Sequence, residues 1–251
     1  MRSTVFDKPF EFNIDIEGDQ WAQGELIKGV FSIKNQSKYL LDAQTIGLGL
    51  AYGQFRKVKK KDPKSFIIHE SKEVELSALK PQESLEIPFE FKLDENAPIT
   101  EKAGSLYILF GNLNDQTLVS HLQLMIEPQQ ILNDFCMVIE NFLRFKMKEK
   151  KNKKNSIEVR FVPPQVKEYA SIKEMTLNMS LDSSTLNLEY HFNVEKLSAI
   201  NGNVGVQKLK MKEMQSLGQK EYCFSPGAIS QDKVLEKVNK IITLVRAADP
   251  F

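Results

Sequence analysis

Apolar and polar residues alternate along most of the first half of the chain, with the period of a strand that buries one face. The clearest case is the stretch 85–93, where an apolar residue occupies every second position. The other sets, in chain order, are Phe10/Phe12/Ile14/Ile16, Gly29/Phe31/Ile33, Ile46/Leu48/Leu50/Tyr52, Val74/Leu76, the run 106–110 and the run 118–126. About seven strands in about 120 residues predict an antiparallel β-sandwich. Because Pro88 lacks an N–H, its strand is predicted to lie at a sheet edge or to pair unevenly.

At two places the period changes to that of an α-helix. The first, after Pro128, predicts a short linking helix with the apolar stripe Ile131, Leu132, Phe135, Val138, Ile139 and Phe142. The second, behind the candidate N-cap Ser230, predicts a C-terminal helix with the stripe Val234, Leu235, Val238, Ile241, Ile242 and Val245. The apolar face of this last helix must be covered by its own domain, by a partner or by a second copy of the chain.

Between the two helices the strand alternation resumes. Its sets are Phe145/Met147, Ile157/Val159/Phe161, Met175/Leu177/Met179/Leu181, Leu186/Leu188/Tyr190/Phe192/Val194, Leu209/Met211 and Tyr222/Phe224. The pattern predicts an all-β protein of two tandem antiparallel β-sandwiches with a short linking helix and a C-terminal helix. Residues 1–127 are assigned to the N-terminal sandwich. Residues 128–251 are assigned to the linking helix, the C-terminal sandwich and the C-terminal helix.

Two stretches of the first half carry a resemblance to a known superfamily. GELIKGVFSIKN contains a glycine-centred strand, formed by Gly24, Glu25, Gly29, Phe31 and Ile33. KPQESLEIPFEFKL contains a turn followed by a Pro-Phe strand, formed by Pro81, Glu83, Ile87, Pro88 and Phe89. With the order of sandwich, linking helix and sandwich, the chain resembles the arrestin-like superfamily, and within it the bacterial sporulation-control family, best over residues 8–126.

This resemblance implies two arrestin-like sandwiches that act as an adaptor or scaffold for protein partners in regulation or trafficking, without enzyme activity. In a bacterium it implies a role related to sporulation or the envelope. The charge network with which animal arrestins sense phosphorylated receptors has no residue-by-residue match in this sequence, so that property is not carried over.

The charge of the chain is nearly balanced, with 34 basic and 33 acidic residues and a net charge of +1. No global positive charge therefore directs it to DNA or to an anionic membrane. The opening residues lack the apolar run of a signal peptide, and no segment approaches the roughly 20 apolar residues that span a bilayer. The two cysteines, Cys136 and Cys223, have no C-x-x-C spacing and suit a reducing compartment. The expected location is the cytoplasm.

Candidate catalytic residues are few. His69, His121 and His191 fall in strand patterns without a second ligand at a metal-binding spacing. Cys136 is predicted to be a buried, inert thiol, whereas Cys223 is the candidate for an exposed and reactive one. The glycines of GLGLAYG alternate with apolar strand residues, so they predict close neighbours within a sheet and not a phosphate loop. No catalytic residue, cofactor or metal is predicted.

Two basic runs stand out in the balanced chain. The run 56–64, RKVKKKDPK, is predicted to be a loop, and its candidate partner-binding residues are Lys59, Lys60 and Lys61. The run 148–155, KEKKNKKN, is predicted to be the loop of a hairpin, and its candidates are Lys150, Lys151, Lys153 and Lys154. Either the lysines only keep hairpin tips solvated and discourage edge-to-edge aggregation, or they bind anionic lipid, an acidic protein segment or nucleic acid. Nucleic acid is least favoured, because no aromatic residue lies between the lysines to stack on bases.

The sequence therefore predicts a non-enzymatic, arrestin-like adaptor that binds protein partners. A binder of anionic lipid or nucleic acid through the basic tips is the alternative, with peripheral contact to an anionic membrane. An enzyme with a cleft between the sandwiches is the third class, and homo-oligomers through the C-terminal helix are a further option. The final Asp249-Pro250-Phe251 looks like a short endocytic adaptor-binding motif, although three residues often match by chance.

Overall fold

The computed structural model describes residues 1–42, 44–76, 78–111, 113, 119–200 and 203–247. The tripeptide Asp249-Pro250-Phe251 lies outside the described residues. The chain divides into two compact units, Met1–Glu127 (unit 1) and Pro128–Phe251 (unit 2).

Unit 1 is built on two four-stranded antiparallel sheets. Its elements are β1 (Arg2–Asp7), β2 (Phe10–Ile16), β3 (Trp21–Ala22), β4 (Leu26–Asn35), β5 (Gln44–Gln54), α1 (Phe55–Lys59), β6 (Phe66–Leu76), β7 (Ser84–Lys92), β8 (Gly104–Gly111), β9 (Ser120–Gln123) and β10 (Ile126–Glu127). The first sheet has the order β1-β2-β4-β7 and the second the order β6-β5-β8-β9. β3 and β10 form a short parallel pair.

The core of unit 1 lies between these two sheets. The four apolar residues of β2 are all buried, and the residues between them are only half-buried. The ring of Phe12 lies 5.7 Å from Phe31 of its own sheet and 6.2 Å from Phe110 of β8 in the other sheet. One continuous apolar cluster joins both sheets, so the predicted β-sandwich is confirmed. Pro88 lies in β7, an edge strand, as predicted.

The glycines of β5 are strand residues with close neighbours, as predicted. A Cβ atom on Gly47 would lie 2.2 Å from Leu113, and one on Gly53 would lie 2.9 Å from the rings of Phe66 and Tyr107. Such distances are shorter than real side chains adopt, so a side chain at either position would require these neighbouring side chains to shift. A phosphate loop would instead require glycines at the start of a helix.

Unit 2 contains one five-stranded antiparallel sheet, two long helices and a short hairpin. Its elements are α2 (Gln130–Leu143), β11 (Lys146–Lys153), β12 (Ser156–Val162), β13 (Ile172–Asp182), β14 (Thr185–Ile200), β15 (Asn203–Gly218), α3 (Gln219–Tyr222), β16 (Cys223–Ser225), β17 (Ala228–Ile229) and α4 (Gln231–Ala247). The sheet order is β11-β12-β13-β14-β15, and β16 pairs with β17. A turn of 3-10 helix covers Lys167–Tyr169.

Helices form the layer opposite this sheet. The sheet buries one face, for example at Leu177 and Phe192, and α2 packs against β11, β13 and α4. The buried Tyr190 donates a hydrogen bond to Gln215, whose amide donates to the Lys237 carbonyl of α4, 3.3 Å away. The all-β class with a linking helix and a C-terminal helix is confirmed. The sequence predicted a second full sheet in unit 2. In its place, the apolar stripes of α2 and α4 cover the five-stranded sheet.

The C-terminal helix α4 docks on its own unit. Its five buried residues, Val234, Val238, Ile241, Ile242 and Val245, belong to the predicted stripe. Of the three coverings considered for this stripe, the structure shows the intramolecular one. Leu244 is the large apolar side chain of α4 that is left about half exposed, at 49%.

Candidate functional site

The basic run of unit 1 is a braced helical turn rather than the predicted loop. Phe55 and Val58 of α1 pack on a small apolar cluster on the outer face of the second sheet, and this packing favours a helix at the end of β5. The turn is closed by buried Ser65, whose hydroxyl donates to the Asp62 carbonyl, and by the amide of Lys61, which donates to the Val58 carbonyl. Residues 56–64 are called the basic turn below.

Lys59, Lys60 and Lys61 project from the basic turn into solvent. Lys59 ends α1, Lys60 caps it, and Lys61 has a left-handed backbone with φ of 51°. All three are exposed, and within the described part of the chain none of them forms an ion pair. The structure therefore brings together these three predicted residues as unneutralised charges on a fixed support.

The basic run of unit 2 is strand, not loop. β11 continues to Lys153 and β12 begins at Ser156, so only Lys154 and Asn155 form the turn. Asn155 has φ of 56°, a conformation that asparagine tolerates better than most residues. The predicted eight-residue loop is wrong, because the lysines alternate on a paired strand whose apolar positions are few.

The four candidate lysines of this hairpin point in different directions. Lys150 turns toward α2, where its ammonium lies 3.4 Å from the Asn133 amide oxygen. Lys151 and Lys153 lie on the opposite face of the sheet and are ion-paired with Glu149 at 3.0 Å and Glu158 at 3.1 Å, respectively. Lys154 is exposed in the turn. The hairpin therefore presents much less unpaired positive charge than the sequence predicted.

The face of the unit 2 sheet opposite the helices, called the outer face below, carries a polar network. Glu189 lies 3.1 Å from Lys212, and it accepts a hydrogen bond from His191. Hydrogen bonds from Lys212 and then from His191 hold the pKa of Glu189 below its ordinary value. The Asn178 amide nitrogen lies 3.4 Å from the same histidine. Sequence reasoning missed this network because its members occupy the ordinary polar positions of alternating strands.

A shallow cavity of about 440 Å³ lies on the outer face beside this network. Its polar side chains include Ser156, Asn187 and Ser216, and the Ser216 hydroxyl donates to Asn187 at 2.9 Å. Glu189 of the network and the exposed Met214 also line it. The outer face is therefore of mixed polar and apolar character at this cavity.

The cysteines are both unsuited to nucleophilic chemistry. Burial raises the pKa of Cys136 to about 12, as expected for the inert thiol that was predicted. Cys223 is also buried, at 4% exposure, and burial raises its pKa, so the predicted exposed and reactive thiol is wrong. Helix α3 ends at Tyr222, the residue before Cys223. The chain then turns Cys223 inward and Phe224 outward.

The histidines lie apart in the fold. His69 is in β6, His121 in β9 and His191 in β14. Desolvation lowers the pKa of His69 and of His121, whose ring packs 5.4 Å from Phe66 and 5.5 Å from Tyr107. Among the described residues, no group of three or more His, Cys, Asp or Glu side chains is arranged to hold a metal ion.

An exposed apolar patch lies in unit 2 between α2 and the β16–β17 hairpin. Its large side chains are Met137 (46% exposed), Phe142 (49%) and Phe224 (73%). They line a cavity of about 380 Å³ together with Asn141 and Gln231. The sequence pattern predicts both Phe142 and Phe224 in buried stripes. Leu143, one position further along α2, is buried in place of Phe142.

Along the described ranges, the structure has no helix that combines the length and apolar character needed to cross a membrane.

The described fold is an all-β arrangement of two tandem units made mainly of antiparallel strands with a few helices. The solved structure of Spo0M, a sporulation control protein from Bacillus subtilis, shares this fold. The TM-score is 0.62 at 18% sequence identity, and the match covers 94% of this chain and 99% of that one. The resemblance to sporulation-control proteins predicted from the sequence is confirmed as a likeness of fold.

No protein-family model and no curated protein matches the sequence. A β-glucosidase from Listeria innocua matches 47% of this chain and 16% of its own length, with 15% identity and a TM-score of 0.29. A CARDB domain from Pyrococcus furiosus matches 50% of this chain and 95% of its own, with 12% identity and a TM-score of 0.29. Neither likeness is strong enough to carry an argument about function.

Proposed function

We propose that this protein is a non-enzymatic, arrestin-like adaptor that binds protein partners in a cytoplasmic regulatory process. The observation that carries the proposal is the exposed apolar patch of Met137, Phe142 and Phe224 around a cavity. Contiguous exposed apolar surface of this kind marks interaction sites, because leaving it in water is unfavourable. The fold shared with a sporulation control protein supports a regulatory role, related in a bacterium to sporulation or the envelope.

The patch is suited to an aromatic or aliphatic anchor from a partner protein. Large apolar side chains that fill a pocket and exclude water contribute most of the affinity in many interfaces. Asp134, Asn141 and Gln231 border the cavity and supply the polar rim that such interfaces have. The patch lies on α2 and a hairpin packed against the core of unit 2, so binding needs little rearrangement.

The test is affinity capture of the tagged full chain from cells of its source organism. Each captured protein is then purified and titrated against the wild type and the double variant Phe142→Ser/Phe224→Ser. We expect at least one direct partner whose affinity falls about tenfold or more in the double variant, because burial of two aromatic side chains is lost. Phe6→Ser, at a 70% exposed position of β1, is the matched control.

Two results would contradict the adaptor function. One is the absence of any captured protein that binds directly when purified. The other is a set of direct partners that bind the double variant as tightly as the wild type, which removes the patch as their site.

Deletion of residues 230–251 is not a suitable test, because α4 buries five apolar side chains in unit 2 and its loss would unfold that unit.

A second candidate function, peripheral binding to an anionic membrane, is favoured by the basic turn. Lys59, Lys60 and Lys61 are exposed and carry no ion pair in the described structure. Each lysine held near an anionic surface contributes about 1 kcal/mol. Nucleic acid is less favoured, because the neighbouring Phe55 packs on the apolar cluster and is not free to stack on a base.

Co-sedimentation with phosphatidylserine-containing vesicles tests this candidate. We expect binding at low salt that weakens at physiological salt, because exposed charges are screened. The triple variant Lys59→Glu/Lys60→Glu/Lys61→Glu should abolish it, while Lys151→Glu/Lys153→Glu, at ion-paired positions, should have a smaller effect. Equal loss in both variants, or no binding at either salt concentration, excludes the basic turn as a membrane site.

A further inference from the structure

Five of the six edge strands in the three larger described sheets carry a feature that hinders pairing with another strand. β1 and β9 are short, with six and four residues. β7 contains Pro88, and β6 has a bulge opposite Leu50–Ala51. β11 has a register shift between Met147 and Glu149, and the Met147 amide donates to Glu140 of α2. Short edges, prolines and bulges are the means by which proteins prevent edge-to-edge pairing.

β15 is the exception in length and regularity. It has 16 residues, contains no proline, and pairs along its full length with β14 without a register shift. It ends the sheet order, and in the described structure no backbone hydrogen bond joins its free side between Lys208 and Leu217 to another segment. A regular row of main-chain donors and acceptors is thus presented to solvent over about ten residues, which is about 33 Å at 3.3 Å per residue.

The side chains of β15 differ between its two faces. Lys208, Lys210 and Lys212 point to the outer face, and the first and last of them lie 3.8 Å from Glu195 and 3.1 Å from Glu189 of β14. Acidic side chains on β14 are therefore followed by basic ones on β15. An incoming strand with acidic residues at every second position would continue this alternation of charge across the sheet.

On the inner face, β15 leaves an incomplete apolar row. Leu209 and Met211 are only half-buried, whereas their cross-strand partners Val194 and Phe192 are buried at 1% exposure. The sheet order ends at β15, so no further strand of the described structure lies beside these two residues. An added strand with apolar residues between its acidic ones would cover them.

We propose that β15 is a docking edge for an extended segment of a partner protein in which acidic and apolar residues alternate. The segment adds to the sheet as a sixth antiparallel strand, its acidic side chains opposite Lys208, Lys210 and Lys212 and its apolar ones against Leu209 and Met211. Main-chain hydrogen bonds provide much of the affinity, and the two rows of side chains provide selectivity. This inference deepens the proposed adaptor function and rests on it, but uses a surface separate from the apolar patch.

A second copy of the chain fits this edge poorly in the registers that set its lysine row against itself. Opposite residues of an antiparallel pair point to the same face. Pairing β15 with itself about Lys210 would set Lys208 opposite Lys212 and Lys210 opposite Lys210. Shifting the axis to Met211 would set Lys210 opposite Lys212. Like charges directly opposite each other are destabilising, so the lysines disfavour self-association in these two registers and favour an acidic partner.

The probe is a fluorescein-labelled, acetylated peptide of about ten residues, long enough to span the edge, with glutamate and valine at alternate positions. Binding to the full chain is measured by fluorescence anisotropy. Three control peptides accompany it. In the first, lysine replaces glutamate; in the second, the same residues are arranged as one acidic and one apolar block; in the third, alternate amides are N-methylated to remove main-chain donors along one side.

We expect the alternating acidic peptide to bind at least about tenfold more tightly than each control. Amide hydrogen exchange in the complex should slow between Lys208 and Leu217. Lys208→Glu/Lys210→Glu/Lys212→Glu should weaken binding about tenfold or more, while Lys57→Glu/Lys59→Glu/Lys61→Glu, the same charge change in unit 1, should not.

The single variant Lys210→Glu breaks no ion pair in the described structure and keeps the test valid if the triple variant fails to fold. Its matched control is Lys240→Glu on an exposed position of α4. Lys210→Glu should weaken peptide binding by about threefold or more, and the control should leave it unchanged.

Several results would overturn the proposal. One is that the N-methylated peptide or the block peptide binds as tightly as the alternating acidic peptide. Another is that the triple lysine variants of the two units weaken peptide binding equally. A third is that protection from amide exchange appears outside the range Lys208 to Leu217. A concentration-dependent dimer lost in Lys210→Glu would make a second copy the occupant instead. If β15 fails these tests while a captured partner still depends on Phe142 and Phe224, the adaptor function stands without this edge. If the peptide binds but no cellular partner does, the edge is shown and the adaptor function fails.

Discussion

Gly29→Ala is expected to destabilise unit 1 because β4 passes its neighbours too closely for a side chain. A Cβ atom at this position would lie 2.5 Å from the Asp15 carbonyl oxygen of β2 and 2.8 Å from the ring of Phe89 in β7. Real Cβ contacts lie beyond 3.0 Å, so β2 and β4 must separate by about 0.5 Å. The obstacle is backbone in the middle of a four-stranded sheet, and the ladder hydrogen bonds on either side resist its movement.

The expected net loss follows from two opposing effects. Forcing extra volume into a well-packed interior typically costs about 1–3 kcal/mol. Replacing glycine also reduces the freedom of the unfolded chain, which offsets about 0.5–1 kcal/mol of that cost. At the middle of both ranges the free energy of unfolding falls by about 1 kcal/mol. With a urea dependence of about 1–3 kcal/mol per molar, the unfolding midpoint should fall by about 0.3–1 M.

Urea unfolding followed by tryptophan fluorescence measures this loss in unit 1 specifically. Trp21 is the single tryptophan of the chain and is buried in β3, at 5% exposure. Gly49→Ala is the control in the same unit, because a Cβ there would meet Glu70 at 3.3 Å and Leu113 at 3.4 Å, distances that small shifts relieve. A midpoint for Gly29→Ala equal to or above that of Gly49→Ala would refute the packing argument.

Three further predictions concern unit 2. Cys136 and Cys223 should react with iodoacetamide at pH 8 only after denaturation, because burial raises the pKa of both thiols; fast alkylation of either in the native protein would contradict their burial. Ile241→Ala should lower the stability of unit 2 by about 2–5 kcal/mol, seen as an earlier thermal transition in far-UV circular dichroism with the tryptophan transition unchanged; a transition that does not move would show that α4 is not docked as described. The pKa of Glu189 should lie below its ordinary value in a carboxyl NMR titration and rise toward that value in Lys212→Gln, because Lys212 is the main cause of the shift. The lowered pKa means that the ionised form is favoured by folding, so its stabilising contribution is present above the ordinary pKa and is lost as pH falls through the folded value; an unchanged titration in Lys212→Gln would refute the assignment.

The alternation of apolar and polar residues predicted the strands of unit 1 wherever one face of a strand is buried and the other is exposed to solvent. β2 and β7 were found this way, since the core between the two sheets requires apolar residues at every second position. β1 was not predicted, because it pairs only with β2 at the sheet edge. Its side chains are exposed or half-buried, and Phe6 is 70% exposed. A strand held mainly by main-chain hydrogen bonds leaves little periodic signal in a sequence.

The error at Cys223 and Phe224 in unit 2 has a different cause, which is the strict dependence of side-chain direction on local register. Helix α3 at Gln219–Tyr222 shifts the chain so that Cys223 is buried and Phe224 is exposed, the reverse of a continuous strand. A one-residue change in register reverses every side chain that follows. Phe142 is exposed for a different reason: it lies beside the buried stripe of α2, which ends at Leu143.

The candidate surfaces depend on sheet order, which no local pattern contains. The alternating lysines of β15 are visible in the sequence, but a central strand with the same pattern would present no free main chain. Only the order β11-β12-β13-β14-β15 makes this strand an edge and places its lysines beyond the acidic residues of β14. Ion pairs occur at both surfaces: Lys151 and Lys153 lie beside Glu149 and Glu158. Lys208 and Lys212 likewise lie beside Glu195 and Glu189, whereas Lys210 of the same row forms no ion pair in the described structure. Density of charge in a sequence is therefore a poor guide to binding, and the position of each charged strand in its sheet decides which charges are left for a partner.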